Sequence, residues 1–179
     1  MQNFSSWLGQ LFQQSELEVQ HLLKDPTAMH FLLAWSLFES KCFQNDLNPN
    51  KLPDFANEVV NSSKIALDSL NIPAHHFHAR YQDPKKLANL IPDKKTSTRM
   101  VDALKKLLAI PFEKLTKKQV IELLTYVVYR FRNNMFHGAK GVQSWLQYRE
   151  QIRFCVDALQ VFVSYAEAKL PTMNDQGVA

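Results

Sequence analysis

The stretch that decides the fold is TKKQVIELLTYVVYRFRNNMFHG, residues 116–138. Its apolar residues recur at the spacing of one helix face: Ile121, Leu124, Val128 and Phe131. Thr116 occupies the position of an N-cap, and Gly138 occupies a position at which helices commonly end. The sequence therefore predicts one long helix with a polar cluster, Arg-Asn-Asn-Met-Phe-His, at its C-terminal end.

The composition around this helix favours an all-α protein. The chain has 179 residues, the size of one domain, with 46% hydrophobic residues, 21% charged residues and only four glycines. Its β-branched residues do not form the alternating runs typical of strands. We therefore predict an all-α, single-domain helical bundle of about five main helices. The predicted boundaries are an N-terminal amphipathic helix and connector over 1–26, the bundle over 27–170 and a polar tail over 171–179.

Helical periodicity and turn residues place the other helices. They are predicted at about 28–43, 54–70, 84–90, 97–108 and 142–169. The first of these is apolar nearly all round, which predicts a central position in the bundle. Glu39 is its exception, and we expect this carboxylate either at the rim of the bundle or beside a cation such as Arg132.

A short amphipathic helix is predicted at the N-terminus. Its apolar stripe consists of Phe4, Trp7, Leu8, Leu11 and Phe12. Such a stripe must pack on this domain or on a partner. We expect packing on this domain, although a terminal helix of this kind can also dimerise.

Simple counts exclude several classes of protein. Cys42 and Cys155 are too few for a disulfide framework, and we predict that both are reduced and buried. No apolar run approaches the roughly 18 residues of a membrane span, so we expect no membrane association and a cytoplasmic location. His75, His76 and His78 lack a second ligand cluster and an i, i+4 spacing, so we predict no metal site and no cofactor.

The charge is concentrated in one part of the chain. Between Lys85 and Lys118 there are ten Lys or Arg residues and three Asp or Glu residues, a net charge of +7. Because the whole chain carries +4, the remainder carries −3. This basic stretch favours a polyanionic partner such as RNA, the alternative being solvated lysines on helix faces.

The polar cluster carries a resemblance to a known family. Residues 132–137 match an Arg-x4-His signature with Asn after the Arg, which is similar to that of the HEPN superfamily. The context also resembles HEPN proteins, with a long helix before the motif, Phe-His-Gly at its end and a long helix after it. The likeness covers about residues 28–168. It implies a small helical bundle, and many members are metal-independent endoribonucleases.

The residue types in the cluster suit that chemistry. RNA is cut without a metal when its 2′-hydroxyl attacks the adjacent phosphate, which requires a base, an acid and a group that holds the extra negative charge. Histidine suits both proton transfers because its ordinary pKa is about 6.5. Arginine suits the third role because its planar fork binds phosphate oxygens and stays charged.

The resemblance also implies how one chain completes such a site. HEPN proteins form two-fold dimers with the motif at the interface, so two Arg132/His137 pairs would face one groove. By that likeness His137 transfers protons, Arg132 binds phosphate, and Asn133 orients the histidine or binds a phosphate oxygen. The remaining candidates for substrate binding are Lys140, Asn134 and Glu39.

Helix geometry sets a condition on this assignment. On an ideal helix, Arg132 and His137 lie about 140° apart, whereas Asn133 and His137 share a face. Arg132 and His137 converge only if the helix ends near Phe136 and Gly138 redirects the chain.

The implied biology is that of a toxin or an anti-phage defence component. Its partners would be RNA, a second copy of the chain and a cognate antitoxin of the nucleotidyltransferase type. The alternative is a non-catalytic HEPN-like module that binds RNA or a protein, and a sequence-specific DNA regulator is a weaker third reading. Arg and His beside Gly also suit a plain helix terminus, where they complement the helix dipole.

Overall fold

The structure is a computed structural model that describes residues 3–62, 67–91, 98–137 and 147–169. Within these ranges the chain is all-α, with nine α-helices, three short 3-10 segments and no strand. The all-α class is therefore confirmed, while the helix count exceeds the predicted five. The α-helices are α1 Phe4–Phe12, α2 Glu16–Lys24, α3 Thr27–Phe43, α4 Leu52–Asn61, α5 Asn71–Arg80, α6 Pro84–Leu90, α7 Thr98–Leu108, α8 Lys117–His137 and α9 Arg149–Lys169.

Helix α8 has the N-terminus that the sequence predicts. The Gln119 amide N–H donates to Thr116 Oγ1 at 3.3 Å, and Gln119 Oε1 accepts from the Thr116 amide N–H at 2.9 Å. This reciprocal capping box satisfies two backbone donors that the first turn leaves unpaired. Helices α4, α5 and α7 pack along α8, which places it in the middle of the bundle.

An aromatic cluster joins α3, α4 and α9. The ring of Phe38 lies 5.2 Å from Phe43, 5.5 Å from Phe55 and 5.7 Å from Phe162, measured between centroids. Tilted and edge-on aromatic pairs at these distances add favourable electrostatics to the burial of apolar area. The pairing of α3 with α9 is the most extensive helix contact in the described chain.

Helix α3 differs from its predicted central position. Phe31, Trp35 and Phe38 are buried, but the opposite face is exposed. The exposed apolar residues of that face are Met29, Leu32, Leu33 and Leu37. The prediction was wrong because an apolar composition all round a helix does not ensure neighbours all round it, and the described neighbours of α3 cover one side.

The N-terminal region contains more structure than predicted. The expected connector includes α2, which begins with a capping box in which Ser15 Oγ accepts from the Glu18 amide N–H at 3.3 Å and Glu18 Oε2 accepts from the Ser15 amide N–H at 2.8 Å. Helix α1 packs on α2 and buries Leu8. The rest of its stripe is largely exposed, including Phe4, Trp7 and Leu11, so the expected packing on the domain is only partial.

The predicted helix over 54–70 is also wrong. Helix α4 ends at Asn61, and a separate helix, α5, begins at Asn71. The Asn71-Ile72-Pro73 segment begins a helix instead of ending one, because proline in a first turn lacks only an N–H that has no helical partner there.

Cys155 is buried, as predicted, whereas Cys42 is only half-buried. Cys42 and Cys155 are both free, and burial raises the pKa of the Cys42 thiol to about 12. Burial also raises the pKa of Cys155. No helix in the described ranges is both long and apolar enough to cross a bilayer.

Candidate functional site

Arg132 lies near the C-terminal end of α8 and contacts α3. Its guanidinium carbon is 5.8 Å from the centroid of the Trp35 ring, and its Nη1 donates a 3.1 Å hydrogen bond to Asn133 Oδ1. The side chain is half-buried. Because a guanidinium is attracted to the face of an aromatic ring, Trp35 restricts the positions open to Arg132.

Glu39 meets the same indole from another side. Its Oε2 accepts a 3.1 Å hydrogen bond from Trp35 Nε1, and its side chain is half-buried at the rim of the bundle. The structure therefore places Glu39 and Arg132 on the same indole, and Asn133 is joined to this group through its hydrogen bond to Arg132. We call these four residues the Trp35 cluster. The role of Trp35 was not predicted, because a tryptophan in an apolar helix is typical of a core residue.

Asn134 belongs to a different side of α8. Two residues after Arg132, it lies about 200° further round the helix axis. Its Nδ2 donates to the Leu90 carbonyl at 3.2 Å, and its Oδ1 accepts from Arg130 Nη2 at 3.2 Å. The amide is thus held against the end of α6, away from the Trp35 cluster.

Arg130 is the residue that the sequence analysis missed. Only 6% of it is exposed, and its Nε donates to the Leu90 carbonyl at 3.1 Å. Burial lowers the pKa of this guanidinium. The available signal was the i, i+4 spacing of Arg130 and Asn134, which places a donor and an acceptor on one helix face.

The end of helix α8 bears on the condition that Arg132 and His137 converge only if the helix ends near Phe136. Helix α8 runs as far as His137. Position 137 therefore lies about 140° from position 132 and about 40° from position 133. By its position along the helix, residue 137 is therefore closer to Asn133, whose Oδ1 accepts from Arg132 Nη1, than to Arg132 itself. Gly138 and Lys140 lie outside the described residues.

A cavity of about 290 Å³ lies on the Asn134 side of α8. It is formed by the end of α5, by α6, by α8 and by the residues around the start of α9. Asn134 and Met135 of residues 132–137 line it, together with Lys86 of the basic stretch. At least one lysine of the basic stretch therefore lies next to the motif, on the face opposite Trp35.

No family model matches this chain, and no curated protein or solved structure matches it either. The resemblance to the HEPN superfamily therefore stays a prediction that residues 132–137 carry.

The histidine run in α5 packs against aromatic and backbone groups. His75 lies edge-on to Phe112 with centroids 5.0 Å apart, and His76 lies 4.4 Å from the ring of Phe154. His78 Nε2 is 2.8 Å from the Ile110 carbonyl oxygen. Among the described residues, no group of three or more His, Cys, Asp or Glu side chains is arranged to hold a metal ion.

Proposed function

We propose that this protein is a metal-independent endoribonuclease of the HEPN type, which acts in the cytoplasm as a homodimer and cuts RNA at a site built from both subunits. The observation that carries the proposal is the Trp35 cluster. In it Arg132 lies against the Trp35 ring and donates a hydrogen bond to Asn133, and Asn133 lies one helical turn before position 137. A positioned guanidinium and a histidine at the same end of one helix are the two group types that RNA transesterification needs.

The outer face of α3 supports the dimer. Met29, Leu32, Leu33 and Leu37 are each between 40% and 58% exposed. Contiguous exposed apolar residues of this kind mark interaction surfaces on soluble proteins. Leu32 lies one turn before Trp35, so this apolar face adjoins the Trp35 cluster. A second copy packed on the α3 faces would bring two Trp35 clusters to one seam.

The proposed reaction balances without a metal or a redox step. The 2′-oxygen of the ribose forms a bond to phosphorus while the bond from phosphorus to the 5′-oxygen breaks. One His137 takes the proton of the 2′-hydroxyl, and the other gives a proton to the departing 5′-oxygen. Arg132 stabilises the negative charge that develops on the phosphate oxygens. The products carry a 2′,3′-cyclic phosphate and a 5′-hydroxyl.

The test is cleavage of a 5′-labelled RNA by the full chain in the presence of EDTA. We expect His137→Ala to lower the cleavage rate by roughly 10²- to 10⁴-fold, as loss of a positioned acid or base does. We expect Arg132→Ala to lower it by roughly 10²- to 10³-fold through lost charge stabilisation. The matched controls are His21→Ala and Arg149→Ala, which alter exposed residues outside the Trp35 cluster and should cleave at the wild-type rate.

Two results would overturn the proposal. One is cleavage at the wild-type rate by both His137→Ala and Arg132→Ala, which removes the catalytic assignment. The other is RNA binding by the wild-type chain without cleavage in any buffer, which favours the non-catalytic module. Analysis of the product ends tests the chemistry independently, because a cyclic phosphate resists phosphatase until acid opens it.

The cellular role that we propose is that of a toxin or an anti-phage defence component, with a nucleotidyltransferase-type antitoxin as its cognate partner. The support is the HEPN likeness of residues 132–137. Expression of the wild-type chain should arrest growth of a bacterial host, and expression of His137→Ala at the same level should not. Equal growth of the two cultures would contradict this role.

A further inference from the structure

The cavity on the Asn134 side of α8 has a positive lining. Arg80 and Lys86 contribute two cations, and none of the described lining residues is Asp or Glu. Asp83 lies just outside and contacts Lys86 at 3.6 Å, with both side chains substantially exposed. An exposed pair of this kind contributes little to stability, so Lys86 can exchange it for a phosphate oxygen.

One wall of the cavity is aromatic. Tyr81 and Phe131 line it and are both buried. The Tyr148 ring lies edge-on to Phe131 with centroids 6.4 Å apart, and the guanidinium carbon of Arg80 is 5.8 Å from the Tyr148 centroid. Aromatic rings and a stacked guanidinium are the surfaces on which unpaired bases of single-stranded RNA pack.

Amide side chains supply the other polar groups that line the cavity. Asn89, Asn134, Gln147 and Gln151 line the cavity. Gln151 is only 5% exposed, and Asn134 is held by Arg130 and the Leu90 carbonyl. Each amide presents both a donor and an acceptor, which is the pattern that reads the edge of a base. Cations, an aromatic wall and fixed amides together match a planar base that carries a phosphate.

We infer that this cavity binds one unstacked base of the RNA strand, with the adjoining phosphate against Arg80 and Lys86, and that it sets the sequence preference of cleavage. The inference rests on the proposed function. The volume of about 290 Å³ lies near the lower end of small-molecule sites, which suits a single base rather than a larger ligand. The cavity and the Trp35 cluster lie on opposite sides of α8, about 10–12 Å apart across the helix. A strand that crosses the end of α8 therefore reaches both.

The experiment measures binding separately from cleavage. Fluorescent 2′-O-methyl octamers of A, C, G and U cannot be cut by 2′-hydroxyl attack, and their affinity for the full chain is read from fluorescence anisotropy. We expect one octamer to bind roughly tenfold or more tightly than the weakest. Lys86→Gln should weaken that best octamer roughly tenfold, because it removes a charged phosphate contact.

A neighbouring lysine gives the matched control. Lys85→Gln removes the same charge from the same helix, but Lys85 does not line the cavity, so its effect should stay within about twofold. Asn89→Asp alters an exposed lining residue and adds a negative charge, so it should weaken all octamers and reduce the preference. The matching mononucleotide at millimolar concentration should displace the octamer.

The inference is overturned if the four octamers bind equally, if Lys85→Gln and Lys86→Gln weaken binding equally, or if the mononucleotide binds without displacing the octamer. These failures are distinct from failure of the proposed function. If the chain cuts RNA through His137 but shows no base preference, only the proposed base site is excluded. If it shows a base preference but never cuts RNA, the nuclease is excluded and the protein is an RNA-binding module that recognises a base.

Discussion

Arg132 and Glu39 contact the same indole, because the guanidinium carbon lies 5.8 Å from the centroid of the Trp35 ring while Trp35 Nε1 donates to Glu39 Oε2 at 3.1 Å. The ring thus offers its face to a cation and its N–H to an anion. A partly buried cation–π contact contributes about 0.5–2 kcal/mol. That is enough to favour one position of Arg132 over its other rotamers.

The face of the Trp35 ring should matter more than its N–H. Trp35→Phe keeps an aromatic face and loses the hydrogen bond to Glu39, whereas Trp35→Leu loses both. We expect Trp35→Leu to cleave RNA about tenfold more slowly than Trp35→Phe, which corresponds to loss of a cation–π contact of about 1.4 kcal/mol. The measurement is a single-turnover rate at a temperature at which circular dichroism shows both variants folded. Equal rates for the two variants would show that the ring face does not position Arg132.

Arg130 should be a stability residue rather than a catalytic one. Arg130→Ala leaves the Leu90 carbonyl without its Nε donor and Asn134 Oδ1 without its Nη2 donor. We expect a loss of about 2–4 kcal/mol in the free energy of unfolding, measured by urea denaturation. The matched control is Arg149→Ala, which breaks an exposed ion pair to Asp25 and should cost about 1 kcal/mol or less.

A double-mutant cycle isolates the contact between Arg130 and Asn134. If the hydrogen bond at 3.2 Å is structural, the two single variants should couple by about 0.5–3 kcal/mol. Additive effects, or an Arg130→Ala variant as stable as Arg149→Ala, would show that the buried guanidinium contributes nothing to stability.

Local patterns in the sequence account for what was predicted well. Helix α8 was placed correctly at its start because Thr116 and Gln119 form a capping box within four residues. The same signal at Ser15 and Glu18 marks the start of α2, in a segment that was predicted as a connector. Both boxes depend only on residues close in sequence, so the second was as readable as the first.

The features that were not predicted depend on contacts between distant parts of the chain. Asn134 bonds to the Leu90 carbonyl 44 residues earlier, and no periodicity in the sequence reports that pairing. The exposed face of α3 depends on which sides its neighbours cover, which is a property of the assembled bundle. Helical spacing therefore predicts which residues of α8 share a face, but it does not predict what packs against each face.

Acid should destabilise the fold through His76. Burial against Phe154 lowers the pKa of His76 below its ordinary value of 6.5, nearby Glu150 opposes this, and Arg80 adds to it. A lowered folded-state pKa means that the native state favours neutral imidazole. The stability from His76 is therefore present above about pH 6.5 and is lost as the pH falls through the folded pKa.

The measurement is the melting temperature at pH 7.5 and at pH 5. The decrease between the two should be smaller for His76→Gln than for the wild-type chain, because glutamine does not titrate. His21→Gln alters an exposed histidine at the end of α2 and should keep the wild-type decrease. The same decrease in all three proteins would exclude a contribution from His76.

Either of two exposed apolar helix faces could form the dimer interface, and a pair of double substitutions shows which one does. The α3 face carries Leu33 and Leu37, and the α1 face carries Trp7 and Leu11, all of them largely exposed. A carboxylate placed in a dry interface costs several kcal/mol when nothing pairs with it, whereas on an exposed surface it costs little. We therefore expect Leu33→Glu/Leu37→Glu to sediment as a monomer and Trp7→Glu/Leu11→Glu to remain a dimer.

The same pair of variants links assembly to chemistry. If two Trp35 clusters form one site, the α3 variant should also lose cleavage at concentrations at which the wild-type chain is dimeric, although its Arg132 and His137 are intact. The α1 variant should cut RNA at the wild-type rate. A monomeric α3 variant that cleaves normally would show that one subunit suffices, and loss of the dimer only in the α1 variant would move the interface to the N-terminal helix.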